Sequence, residues 1–108
     1  MYMSSKDLQL IANKLNELIS YLENNDLDNF FKHKDEFCDL IILENSDSFN
    51  DNIKSDIENI VPANLMNTFM NFIKYIRALR TMKHNDNDYT RYTLDNIKFI
   101  KTQIFKDY

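Results

Sequence analysis

The chain has 108 residues and not one glycine. Glycine enters positive φ without a Cβ clash, so its absence removes the motifs built on that freedom. A phosphate-cradling P-loop, a dinucleotide fingerprint and a nucleophile elbow are all excluded. Sandwiches and barrels draw on the same backbone conformations for tight hairpins and bulges, so they are disfavoured as well. What remains is a helical protein whose helix ends must use asparagine where glycine normally sits. The length and the mass of 13.0 kDa provide for a single domain over residues 1–108. Hydrophobic residues at 44% and charged residues at 28% match a globular chain rather than a disordered one.

The apolar pattern supplies the helices. Leu8, Ile11, Leu15, Leu18 and Leu22 recur three and four residues apart, and Ala12 and Ile19 widen the stripe. That is one face of a helix, not the alternation of a strand. Ser4 with Asp7 makes a capping-box-like start, and Asn24-Asn25 ends the helix. A second helix begins at Asp26 or Asp28, where a carboxylate suits the positive end of the helix dipole. It turns Leu27, Phe30, Phe31, Phe37, Cys38, Ile41 and Ile42 inward before Glu44-Asn45 closes it. So short a link between the two makes an antiparallel hairpin.

A shorter third helix, capped by Ser46 or Ser48, carries Phe49, Ile53, Ile57, Ile60 and Val61. Pro62 suits the first turn of a fourth helix running to about Lys83. Its apolar arc, from Leu65 through Phe69, Phe72, Ile73 and Ile76 to Met82, is wide enough for a bundle centre or a partner chain. Asn85 to Asp88 is a polar loop, and a fifth helix follows from about Tyr89 to Phe105 with Thr93, Ile97, Ile100 and Ile104 on one face. The expected fold is all-α: a compact antiparallel bundle of four to five helices.

A formal net charge of −4 argues against nucleic-acid binding by the whole surface. The charge is uneven. Residues 1–54 hold 5 basic and 11 acidic side chains, whereas residues 55–108 hold 8 and 6. Such polarity steers a charged partner or brings copies together head to tail, and it is also what solvated helix faces carry.

One cysteine, Cys38, leaves no intramolecular disulfide and no cysteine zinc site, and its apolar neighbours mark it as a buried inert thiol. His33 stands alone on a charged turn and is expected to face solvent. No signal-peptide pattern is visible, and the longest apolar run, Leu40-Ile41-Ile42-Leu43, is far short of a membrane span. A cytoplasmic protein without a membrane partner is expected. Abundant Asn, Ile, Lys, Asp, Phe and Tyr with scarce Ala, Pro and Arg point to AT-rich codons, hence a low-GC genome or a mobile element within one.

Four groups of residues invite a functional reading. Asn85–Asp88, and Asp47 with Asn50 and Asp51, suggest calcium. An EF-hand loop starting at Asp86 would place Arg91 where glycine is required and Ile97 where glutamate is required. Helix capping explains both clusters, and no metal or cofactor is expected. The bases and aromatics Lys74, Tyr75, Arg77, Arg80, Lys83, His84, Arg91 and Tyr92 form a second group. On a continuous helix Arg77, Arg80 and His84 share a face, which Arg91 and Tyr92 extend across the loop. This is equipment for phosphate contact and base stacking. Internal or solvent-facing charge ranks first for it, a protein partner second and nucleic acid last.

The third group is acidic: Glu23, Asp26, Asp28, Asp35, Glu36, Asp39 and Glu44. Carboxylates so close on a helix imitate a row of phosphates, and small acidic inhibitors carried by phages, anti-CRISPR proteins among them, are similar in size and charge. The fourth group is Arg77 and His84 with six residues between. It resembles the arginine-spacer-histidine motif of the HEPN family, helical bundles many of which cleave RNA, with Ala78 where that family has a polar residue. The resemblance implies that Arg77 holds a phosphate while His84 transfers a proton.

The expected function is non-enzymatic binding of another protein or a protein–nucleic-acid complex by a phage or mobile-element accessory or inhibitor protein. An acidic or charge-polarised helical surface would carry it, with Asp35, Glu36, Asp39, Arg77, Arg80, Arg91 and Tyr92 as binding residues. The alternatives are a HEPN-like ribonuclease using Arg77 and His84, and a homo-oligomeric subunit joined through the fourth helix.

Overall fold

The computed structural model describes residues 5–43, 48–80 and 87–108. Five α-helices are present among them: α1 (Ser5–Glu23), α2 (Leu27–Ile41), α3 (Asp51–Ile60), α4 (Met66–Ala78) and α5 (Asn87–Gln103), with a 3₁₀ turn at Ala63–Leu65 before α4. The chain is an all-α bundle. α1 packs on α2 and on α5, and α2 packs on α4. Cross-helix contacts fix the directions. Lys34 meets the carbonyl of Arg77 and Cys38 meets that of Ile73, so α2 and α4 are antiparallel. Phe69 meets Phe105 while Tyr75 meets Thr93, so α4 and α5 are antiparallel too. The four long helices therefore run up, down, up and down around one core. α3 lies at the end where α1 begins and α2 finishes, its Ile53 beside Ile11 and Leu40.

The junction of α1 and α2 shows how a chain without glycine turns. Asn25 takes φ 56°, the only positive φ among the described residues. The Asp26 N–H donates to the Tyr21 carbonyl at 2.7 Å and the Asn25 N–H to that of Leu22 at 3.1 Å, the paired bonds of a Schellman motif. Asp26 then caps the next helix, its carboxylate accepting from the Asn29 N–H at 3.4 Å and from the Asn29 side-chain amide at 2.7 Å. Asparagine tolerates the left-handed region better than other residues with a Cβ, which is why it serves here.

The core is a single cluster. Leu8, Ile11, Ala12, Leu15, Leu18 and Leu22 of α1 are buried, as the stripe required. Phe30, Phe37, Cys38 and Ile41 of α2 face them, with Phe69, Ile73 and Ile76 of α4, Ile97 and Ile100 of α5 and Ile104 just after it.

Several boundaries differ from expectation, and the second helix already ends at Ile41, with Ile42 extended, short of Glu44-Asn45. The third helix is capped at Asn50, not at Ser48. Asn50 sits there because its amide donates to the Asp39 carbonyl at 2.8 Å, and because the neighbouring Phe49 pairs with Ile42 in an isolated antiparallel β-bridge. Ser4, Glu44, Asn45, Ser46 and Asp47, on which other capping expectations fell, lie outside the described residues. Pro62 precedes a 3₁₀ turn instead of opening α4.

The fourth helix stops at Ala78 rather than near Lys83. Leu79 turns extended (φ −66°, ψ 120°), its N–H reaching the carbonyls of Tyr75 and Ile76, and its side chain enters the core. Lys34 takes the Arg77 carbonyl at 3.3 Å. The burial of the Leu79 side chain and the Lys34 contact are tertiary, and local periodicity could not register them. Asn87 and Asp88, expected in a loop, form the first turn of α5.

Candidate functional site

Two seams of the bundle hold several of the residues singled out from the sequence, and they differ in kind. The α2–α4 seam is closed and charged. Lys34 occupies the inward position between Phe30 and Phe37 and is 2% exposed. Its Nζ lies 2.9 Å from Asp35 Oδ1, 3.3 Å from the Arg77 carbonyl and 5.9 Å from the centre of the Phe31 ring. A cation at the end of α4 also meets the negative pole of that helix. One turn away, Arg77 Nη2 donates to Asp39 Oδ1 at 2.7 Å. Arg77 Nε is enclosed and has no hydrogen-bond partner among the described residues.

Cys38 lies in the same seam, its S–H directed at the Ile73 carbonyl at 3.8 Å. Burial pushes this thiol up to about 11, against the pull of Arg77 and Lys34. It is a packed, protonated thiol, as its neighbours in sequence suggested.

The acidic row on α2 is exposed but accompanied. Asp35 pairs with Lys34 and Asp39 with Arg77, while Glu36 Oε1 receives Lys14 of α1 at 3.3 Å and lies 3.1 Å from His33 Nδ1. Those two partners, His33 first, hold the Glu36 carboxyl below its ordinary value. His33 does not stand free in solvent. Its ring stacks on Tyr21 of α1 with centroids 5.3 Å apart, which leaves it half-buried. The structure thus brings Asp35, Glu36, Asp39 and Arg77 together, with the bases interleaved among the acids.

It does not bring the other predicted residues to that place. Arg80 is exposed on the segment after α4, so the continuous helical strip Arg77–Arg80–His84 is broken. His84 and Lys83 lie outside the described residues. Arg91 faces the α1–α5 side, beside Leu22, Glu23 and Asn25, whereas Tyr92 faces the α4–α5 side.

The α4–α5 seam is open. The backbones of α4 and α5 approach each other less closely than those of α2 and α4, and long side chains span the gap: Phe69 to Phe105, and Tyr75 to Tyr92 edge-on at 6.0 Å. A groove of about 310 Å³ lies over it. Thr68, Asn71, Phe72 and Tyr75 of α4 form one lip, and Tyr92, Asn96, Phe99 and Ile100 of α5 form the other. Tyr75 Oη is anchored 2.8 Å from the buried Thr93 hydroxyl, which itself donates to the Tyr89 carbonyl at 3.1 Å. Burial pushes the Tyr75 phenol up to about 12. Tyr92 and Phe99 remain 61% and 42% exposed.

None of the lining residues carries a formal charge, in a chain of which 28% is charged. The large exposed apolar side chains nearest α4 belong to α5, since the wide arc of the fourth helix is covered by its own bundle. Of this groove, Tyr75 and Tyr92 were named from sequence in the base-aromatic group, and Tyr92 alone as a binding residue. The signal for the rest was present: Tyr92, Asn96 and Phe99 are spaced four and three apart on one helical face.

Among the described residues no three His, Cys, Asp or Glu side chains are grouped to hold a metal ion, and no helix is long and apolar enough to cross a membrane. In comparisons with known proteins, the chain matches no family model, no curated protein and no solved structure. The class supported is therefore the fold itself, an all-α bundle with one open, uncharged seam.

Proposed function

We propose that this chain is a small non-enzymatic protein that works by binding another protein, and that the α4–α5 groove is the surface it uses. The observation that carries the reading is the pairing of exposed Tyr92 and Phe99 with an uncharged lining. Interface cores are enriched in aromatic side chains and depleted of charge, and a few aromatic anchors supply most of the binding energy. Asn71 and Asn96 add hydrogen-bonding groups that tolerate desolvation once paired.

The finer reading, a phage or mobile-element inhibitor acting through Asp35, Glu36 and Asp39, rests on size, charge balance and codon flavour. The interleaved cations weaken its appeal, because an incoming basic surface must displace Lys34, Lys14 and Arg77 to reach those acids. The ribonuclease reading has Arg77 already engaged by Asp39.

The test is capture of a protein partner from the source cell by three baits: wild type, Tyr92→Ala with Phe99→Ala, and Asp35→Lys with Glu36→Lys and Asp39→Lys. Circular dichroism confirms that each bait is folded. Loss of the same captured protein in the groove variant, with retention in the acidic variant, is expected. The opposite pattern moves the function to α2, and RNA cleavage abolished by Arg77→Ala would replace binding with catalysis.

A further inference from the structure

We propose that the occupant of the α4–α5 groove is a second copy of this chain, paired about a two-fold axis that runs through the groove. The inference deepens the binding role given to that surface and rests on it. A two-fold interface uses the same patch on both subunits, so the patch must complement itself. The two lips here match in chemistry. α4 presents Asn71 and Tyr75 four residues apart, and α5 presents Tyr92 and Asn96 four residues apart. The helices are antiparallel and Tyr75 meets Tyr92, which leaves the two asparagines on the same side of that aromatic pair. When the α4 lip of one copy lies on the α5 lip of the other, tyrosine faces tyrosine and amide faces amide. An asparagine amide both donates and accepts, so it can pair with its own kind.

Charge favours the same arrangement. Each copy carries a formal −4, so two copies repel wherever their acidic faces approach. The groove lining offers an approach with no like-charged pair. The open seam completes the case, because Phe99 stands exposed on one lip and, when Tyr92 faces Tyr75, comes level with Thr68 and next to Phe72 on the opposite lip. A Phe99 ring from the partner copy laid against Thr68 and Phe72 would be covered, and the exchange would be reciprocal.

The test is sedimentation of the full chain from micromolar to millimolar concentration. A mass that doubles is expected. Phe99→Glu should weaken pairing by roughly 100-fold or more, because two anchors are lost per dimer and two like charges meet near the axis. Phe99→Lys should do the same alone. Mixing the Glu and Lys variants should restore a dimer, a result that an unfolded variant cannot give.

A wild-type chain that stays monomeric at millimolar concentration overturns the proposal. So does a dimer indifferent to Phe99→Glu and Tyr92→Glu. If the chain is monomeric while Tyr92→Ala with Phe99→Ala still abolishes capture of a different protein, pairing fails and the binding role of the groove stands.

Discussion

The α2–α4 seam and the α4–α5 seam share a helix, and they spend its side chains in opposite ways. On the first, every notable charge has been taken up inside the molecule: Lys34 by Asp35 and a helix-end carbonyl, Arg77 by Asp39. On the second, none of the described lining residues is charged and aromatic rings stand partly uncovered. Charge density along a chain therefore overstates the charge available to a partner, because folding pairs acids with bases that are distant in sequence. A surface with few charges and unfilled aromatic contacts has more left to offer. The contrast can be broken by treating the two seams alike.

The largest difference should come from deleting a phenylalanine on each. Phe37 is fully buried against Phe72, with ring centroids 6.1 Å apart. Phe37→Ala should cost about 3–5 kcal/mol in urea unfolding, whereas Phe99→Ala should cost less than about 1 kcal/mol. Equal losses would mean that the α4–α5 groove is as much a part of the core as the closed seam.

Alkaline pH should act next. The folded Cys38 value lies near 11 against an ordinary 9.0, so the unfolded chain ionises first. The stability linked to this thiol is complete below pH 9 and is lost as pH rises through 11, on the order of 2–3 kcal/mol. Tyr75, ordinarily 10.0 and raised to about 12, continues the same trend from pH 10 upward. Urea midpoints measured from pH 8 to 11 should fall, and Cys38→Ala should flatten the part that begins near pH 9. A midpoint unchanged over that range would show that the thiol is not held away from water.

Lys34 sharpens the comparison from the charged side. Lys34→Ala strands the Arg77 carbonyl and opens space beneath Phe31, so a loss of about 1–3 kcal/mol is expected by thermal unfolding. Lys34→Met keeps the volume and should lose less, because a well-packed apolar chain often replaces a buried ion at little cost. Were Met the more damaging substitution, the stem of Lys34 rather than its cation would be the feature to re-examine. The smallest effect belongs to Asp39→Asn. This exposed pair with Arg77 should be worth about 0.2–1 kcal/mol and fade with added salt. A larger, salt-independent loss would show that Arg77 depends on Asp39 to tolerate its enclosed Nε.

Much of the fold was legible because α1 and α2 obey local rules. The α1 stripe from Leu8 to Leu22 is buried throughout, and Asn25 takes the turn that glycine would have taken. The fourth helix was misjudged at its end because Met82 extended a helical period that the inward turn of Leu79 interrupts. Lys34 was one of the 5 basic residues counted in residues 1–54, although its spacing from Phe30, Phe37 and Ile41 sets it on the buried face. Charge type outweighed position there, and position proved the better guide. The groove was legible only in part. The Tyr92–Asn96–Phe99 row is visible in the sequence of α5, but its neighbours Asn71 and Tyr75 belong to another helix.

The bare order of residues was sufficient to exclude glycine-dependent sites, to set the helical class and to mark which faces turn inward. Those outcomes follow from backbone sterics and from 3.6-residue periodicity, which act over a few residues at a time. Pairings such as Lys34 with the end of α4, Asp39 with Arg77 and Tyr75 with Tyr92 awaited the assembled bundle. Each joins groups more than 15 residues apart, and their energies depend on distance and on exclusion of water, neither of which a linear pattern carries.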